Sequence, residues 1–352
     1  VLEFLTQGAL IEEDVRAALG VDCAPAAMEP EDWQVGALCD GTPAEFPAKL
    51  RLLSLRDRSR VVLDEAGRVV AKMPRGGHFY DPVYPALADA VTVADVDKQV
   101  EVLATYDAPA YLDKAYAVRA AEIRERRRSS DAAYVGFFGG HLLQAGQVLR
   151  GWEAFLMDLL VNRKLAHAIL DRLLQAHLAR FDRFAATVGR EVDVILFEED
   201  LGMQDRSMMA PSTFRQMIKP YMGQLLTHAR DRCDALILLH TDGAVRDLIP
   251  DLIEMGVDAI NPVQVSAKGM DARALKREFG RDIAFWGGGC DSQWTLPHGS
   301  PQDVEDEVRR HIDALAPGGG YVFAPIHNIL PDVPLDNVMA LFRAARAYGT
   351  YP

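Results

Sequence analysis

The chain carries no stripe of basic residues, and that absence removes nucleic acid from its expected partners. Across 352 residues, 51 acidic side chains outnumber 38 basic ones, for a formal net charge of −13. Binding a phosphate backbone needs clustered Lys and Arg to displace counterions. The densest basic stretch, Arg119 to Arg128, is interrupted by glutamates at helical spacing and reads as a solvated helix face. Cysteine is scarce: Cys23, Cys39, Cys233 and Cys290 are the whole set, with no Cys-x-x-Cys pair. A long chain with so few scattered thiols suits a reducing, cytoplasmic setting. No apolar run approaches the roughly 18 residues of a membrane span, so no membrane association is expected. No Gly-x-Gly-x-x-Gly or Walker A pattern follows an apolar run, which disfavours dinucleotide and P-loop folds. The chain starts at Val1 without a Met or a signal-peptide pattern, so further residues are expected to precede it.

What the chain does have is alternation. Apolar content is 49%, enough for a sizeable core. From residue 131 onward, apolar runs alternate with amphipathic stretches. Strands are expected at Ala133–Phe138, Val192–Phe197, Ala235–Leu239, Val257–Ile260, Ile283–Trp286 and Tyr321–Phe323. Helices are expected to Thr187, about Pro211–Arg232, and over Ala244–Met255, Ala272–Phe279, Pro301–Leu315 and Leu335–Tyr348. A βα series of this length means a parallel sheet, here a (β/α)8 TIM-type barrel. Residues 1–130 are less regular and form an N-terminal α+β extension. That part holds a short helix Ile11–Leu19 closed by Gly20. It also holds a hairpin of Arg60–Leu63 and Arg68–Lys72 around the turn Asp64-Glu-Ala-Gly67, and one or two long mixed-charge helices over Asp95–Arg127. No boundary interrupts the series, so residues 1–352 are expected to form one domain. The runs Gly287-Gly288-Gly289 and Gly318-Gly319-Gly320 are too short for linkers and suit tight turns or close backbone approach.

The strand ends deliver polar residues to one rim, the rim that carries chemistry in parallel α/β folds. His240 and Asp242 stand two apart after an apolar run, and residues two apart in an extended chain face the same side. Such a pair can bind a metal or move a proton. With His327 it would offer three ligands and an open position, the layout of catalytic zinc. Strand-end His and carboxylate also commonly just hydrogen-bond to loops, and no His-Glu-x-x-His spacing decides between the two. The cluster Glu198-Glu199-Asp200 suits a proton donor, because adjacent carboxylates raise each other's pKa, or else a solvated loop. Cys290 has no basic neighbour to stabilise a thiolate and reads as buried filler.

Read together, these segments resemble the uroporphyrinogen decarboxylase superfamily, most closely its branch of cobalamin-dependent methyltransferases. Glu199-Asp200-Leu-Gly-Met-Gln204 is similar to that branch's Asp-Asp-x-Gly-x-Gln, and His240-Thr-Asp242-Gly243 to its His-x-Cys-Gly. Gly256-Val-Asp-Ala-Ile-Asn261-Pro262-Val-Gln264 resembles Gly-Val-Asp-x-x-Asn-Pro-x-Gln. Ala324-Pro325-Ile-His327 resembles the closing Ala-Pro-Gly-Cys segment, and Leu149-Arg150-Gly151 also fits. The likeness spans about residues 80–350.

The resemblance implies a metal held by His240, Asp242 and His327, with a carboxylate and an imidazole in place of two thiolates. All three remain competent zinc ligands, although the harder set also suits Mn²⁺, Fe²⁺ or Co²⁺. It implies Glu199 and Asp200 as catalytic carboxylates and Gln204, Asn261, Gln264 and Asn328 as substrate-binding residues. The expected function is methyl transfer between a small O-, N- or S-methyl compound and a corrinoid. This chain has no Asp-x-His-x-x-Gly corrinoid signature, so a partner protein would carry the corrinoid. The alternative is a cofactor-independent decarboxylase of a tetrapyrrole or small carboxylic acid. That branch uses an Arg-Gln-Ala-Gly-Arg type segment, which the chain does not show. A non-catalytic corrinoid or porphyrin carrier is a third possibility, disfavoured by carboxylates beside a metal.

Overall fold

The computed structural model describes residues 11–26, 33–38, 41–47, 51–63, 67–83, 85–99, 101, 103 and 112–350. Its centre is a seven-stranded parallel sheet. Seven of the strands in chain order concern the site: β1 (Cys23–Ala26), β2 (Ala133–Gly139), β3 (Val194–Glu198), β4 (Leu236–His240), β5 (Ala259–Asn261), β6 (Ala284–Trp286) and β7 (Tyr321–Val322). They lie side by side in that same order, each paired parallel to the next. The sheet curls as in a TIM-type α/β fold, with helices returning the chain between strands. Consecutive neighbours all running parallel require such crossovers, and helices are the usual way to make them.

The apolar runs become strands for the expected reason. Residues Val194 to Phe197 and Ile237 to Leu239 are almost wholly buried, because helices cover one face and barrel-interior side chains the other. Phe138 of β2 and Phe197 of β3 pack with Phe181 and Phe184 of the helix Arg163–Ala186, at ring separations of 4.9 to 5.6 Å around Phe138. Removing one such ring would cost about 3–5 kcal/mol. Two of the helices start behind side-chain caps. Ser300 and Asp303 form a capping box ahead of Pro301–Leu315, and Asp271 accepts the Ala274 N–H ahead of Ala272–Phe279.

The N-terminal part differs from expectation in one respect. Cys23–Ala26 is not part of a separate extension but pairs parallel with Ala133–Gly136 and joins the main sheet. A four-residue run containing Pro25 has too little pattern to announce a strand, and its pairing with a distant segment supplies the stability. The hairpin is present as Arg60–Leu63 against Val69–Met73, widened by Arg51–Ser54 and Asp81–Pro82 into a four-stranded antiparallel sheet with its own small core of Val62, Ala71, Met73 and Tyr80. The turn residues 64–66, and residues 100, 102 and 104–111 of the expected helical stretch, lie outside the described residues; Val93–Asp97 and Leu112–Arg126 are helical on either side of the latter. Among the described residues no helix is long and apolar enough to cross a membrane.

Candidate metal centre

The C-terminal ends of β3, β4 and β5 are in register, with Glu198 beside His240 and His240 beside Asn261. Paired residues on neighbouring strands project to the same face, so these three form one row across the barrel mouth. His240 closes β4. Two residues on, Asp242 returns to the same side, and His327 reaches it from the loop after β7. One ligand atom from each of the three lies within 4.8 Å of the others. The carboxylate Oδ2 of Asp242 is 3.6 Å from His240 Nε2 and 3.7 Å from His327 Nε2. Ligands about 2.1 Å from a tetrahedral ion sit about 3.4 Å apart, so these spacings suit a single ion with little movement.

Two further observations fit a cation at this point. The Asp242 Oδ1 atom is buried and has no hydrogen-bond partner, which a bare carboxylate avoids. His240 donates from Nδ1 to the Asn261 side-chain oxygen at 2.8 Å, which leaves Nε2 toward the cluster. Burial alone would push the His240 pKa down. Asp242 first, then Glu198 and Asn261, overcome that and raise it to about 9. Burial likewise pushes Asp242 up, and His240 and His327 more than reverse it. The cluster thus holds a proton that a cation would displace.

The mouth has a second acidic layer. Asp200 is half-buried near Asp242, with the Asp242 N–H and the Gln144 side-chain amide at 3.5 and 3.4 Å from its carboxylate. Burial, and then the charge of Asp242, raise its pKa, the direction that favours a proton carrier. Glu198 accepts from His141 Nε2 at 3.0 Å. Burial pushes it up, but His141 holds it below the usual carboxylate range.

Glu199 does something else. Only 2% exposed, it accepts the N–H groups of Leu142, Leu143 and Gln144 at 2.7, 2.9 and 2.9 Å. It caps the helix Leu143–Arg150, whose own cap position, Leu142, has no side-chain oxygen to offer. The geometry therefore separates Glu199 from Asp200, expected to work together. Alternation along the strand end was the signal: Glu198 and Asp200 share a side, and Glu199 faces away. His141 and Gln144, which complete this wall, follow β2 with no motif to mark them.

The expected substrate contacts also have partners. Gln264 accepts the Gly243 N–H at 2.8 Å and donates to the Gln204 side chain at 3.0 Å. Asn261 donates to the Trp286 carbonyl at 3.2 Å. Asn328 is exposed beside His327. Cys290 is fully buried, and burial, then Glu307 and Asp291, push its thiol well above the usual range, in line with inert filler. The glycine run after β6 permits close approach: a side chain on Gly288 would begin 2.8 Å from the Val263 carbonyl. The Phe79 ring meets His327 edge-on at 6.2 Å, so the N-terminal part also borders the mouth.

Comparison with known proteins places this geometry in context. A family profile described as uroporphyrinogen decarboxylase (URO-D) matches residues 77–348. The chain is 27% identical over 273 residues to a uroporphyrinogen decarboxylase of Anaeromyxobacter sp. (strain Fw109-5), covering 75% of this chain and 71% of that one. It is 25% identical over 231 residues to the methylcobamide:CoM methyltransferase MtaA of Methanosarcina barkeri, covering 66% of this chain and 63% of that protein, under two thirds of its length. A solved methyltransferase from Methanosarcina mazei superposes with a TM-score of 0.56 at 18% identity, covering 95% of this chain and 83% of its own, a likeness of fold.

Proposed function

This chain belongs to the uroporphyrinogen decarboxylase (URO-D) family, and from that premise we propose that it is a metal-dependent methyltransferase or demethylase, acting as one barrel domain. It would move a methyl group between a small O-, N- or S-methyl compound and a corrinoid carried by a partner protein. The observation that carries this reading is the convergence of His240, Asp242 and His327 on one point at the mouth. The similarity to the methylcobamide:CoM methyltransferase supports it.

His240, Asp242 and His327 would hold the ion, with zinc the first candidate. Bound there, a divalent cation would supply Lewis-acid stabilisation at the heteroatom that gains or loses the methyl group. Demethylation of an ether balances as follows. A corrinoid carried by the partner would supply the electron pair that accepts the methyl group, and the ether oxygen, keeping its former bonding pair, would need a proton. Asp200, whose pKa is raised by burial and then by the charge of Asp242, would give that proton. Glu198, tied to His141, would keep the wall beside it polar and fixed.

The test mixes purified protein with methyl ethers, methylamines or methyl thiols, with and without cob(I)alamin, and follows the demethylated alcohol, amine or thiol by chromatography alongside methylcobalamin by absorbance. Product is expected only with corrinoid present. Equal turnover without it ends the methyltransferase reading. The similarity to a uroporphyrinogen decarboxylase favours one alternative, a cofactor-independent decarboxylase of a tetrapyrrole or small carboxylic acid. Release of CO₂ from such acids by metal-free protein would establish that alternative.

A further inference from the structure

We propose that Asn261 and Gln264 are positioning residues for the metal centre and not substrate contacts: Asn261 sets which nitrogen of His240 faces the cluster, and Gln264 pins the turn that carries Asp242. The inference rests on the metal-dependent reading above.

The neighbours of Asn261 fix the orientation of its amide. The Trp286 backbone carbonyl can only accept, so the Asn261 atom 3.2 Å from it must be the Nδ2 donor. The other end, facing His240 at 2.8 Å, is then Oδ1, which can only accept. His240 must therefore carry a hydrogen on Nδ1. A neutral imidazole with hydrogen on Nδ1 has its lone pair on Nε2, the atom 3.6 Å from Asp242. A backbone carbonyl on β6 thus fixes an amide on β5, and the amide fixes a ring on β4. Strand register makes this possible, because His240 and Asn261 are direct partners.

Gln264 works on the other ligand. The Gly243 N–H can only donate, so Gln264 presents Oε1 to it and Nε2 to the Gln204 carbonyl oxygen. Gly243 follows Asp242 directly, and Gln204 belongs to the loop after β3. A second bond, from the Ala244 N–H to the Met203 carbonyl at 2.8 Å, closes the same junction. Gln264 is 6% exposed, with both ends of its amide engaged, which leaves a substrate little to contact. Partners that fix a metal-binding His or its neighbours typically contribute about 10–100-fold in metal affinity.

The experiment strips the protein with a chelator and titrates Zn²⁺ against a competing dye, without substrate. Asn261→Leu should weaken zinc binding by about 10–100-fold, and Asn261→Asp, which keeps the acceptor for His240 but loses the donor to the Trp286 carbonyl, should fall clearly less than the leucine variant. Gln264→Ala should weaken it too. Should that variant not fold, Gln204→Ala loosens the same latch from an exposed position. Wild-type affinity in Asn261→Leu, or an equal fall in Asn261→Asp, overturns the assignment. A wild-type protein that binds no zinc removes the metal centre and this inference with it, whereas a protein that binds zinc but transfers no methyl group fails only the reaction.

Discussion

Gly202 and Gly243 face each other backbone to backbone across the junction of two mouth loops. A Cβ on Gly202 would lie 2.4 Å from the Asp242 carbonyl oxygen, and one on Gly243 would lie 2.5 Å from the Gly202 carbonyl carbon. Gly243 also sits at φ 86°, a left-handed conformation that costs other residues about 1–2 kcal/mol. Only glycine at both places lets the loops after β3 and β4 close up and bring Asp200 next to Asp242.

Gly243→Ala should therefore lower stability by about 2–4 kcal/mol, from overpacking and backbone strain together. It should also reduce bound metal, because Asp242 moves with the turn. Denaturant midpoints and metal content report the two effects. An alanine variant with wild-type values for both would show that the loops do not need this contact.

His240→Ala should take the purified protein from about one divalent ion per chain to essentially none, since two remaining ligands hold a labile ion poorly. Cys290→Ala should leave the ion in place, because that thiol is buried and held protonated. Elemental analysis of both proteins decides the matter, and metal lost from the Cys290 variant instead would move the centre.

Asp200 and Glu199 should separate under mutation. Asp200→Asn is expected to lower turnover by about 10²-fold or more, the usual size of an acid–base contribution, with stability little changed. Glu199→Ala would strand three buried backbone N–H groups and cost about 1–3 kcal/mol or more. Turnover and urea midpoints measured side by side show whether the two neighbours differ in this way.

His177 gives a pH signature. It is fully buried, with Nε2 2.7 Å from the His141 carbonyl, and burial, then Arg180, depress its pKa to about 3. The unfolded chain takes up this proton near pH 6.5, but the folded chain holds out to about 3. The unfolded state thus binds more protons across that window, and stability rises with pH through it. The contribution is complete above pH 6.5 and is lost as pH falls toward 3, on the order of several kcal/mol in all. His177→Gln should flatten the fall in melting temperature below pH 6.5; an unchanged slope would assign acid sensitivity to other groups.

The sequence carried the fold from residue 131 onward because βα alternation is a local pattern. Ala272–Phe279, Pro301–Leu315 and Leu335–Tyr348 appear with the expected bounds, two of them behind side-chain caps. Cys23–Ala26 was hidden, since its strand character comes from a partner more than a hundred positions away. At the site, His240, Asp242 and His327 were legible as polar residues at strand ends. The division of labour among Glu198, Glu199 and Asp200 was not, because it depends on which side of one strand faces a helix terminus. The Asn261 and Gln264 contacts needed amide orientations that only neighbouring backbone atoms define.

The alternation at the end of β3 has an evolutionary consequence. Glu198 and Asp200 reach the mouth and Glu199 reaches the helix start only because of their parity along the strand. Removing or adding one residue between Val194 and Glu198 would exchange the two sides: a single carboxylate would enter the cavity, and two would press against the helix Leu143–Arg150. Relatives that change chemistry here should do so by substitution at fixed length, and insertions should accumulate beyond Gly202, where the chain has left the strand.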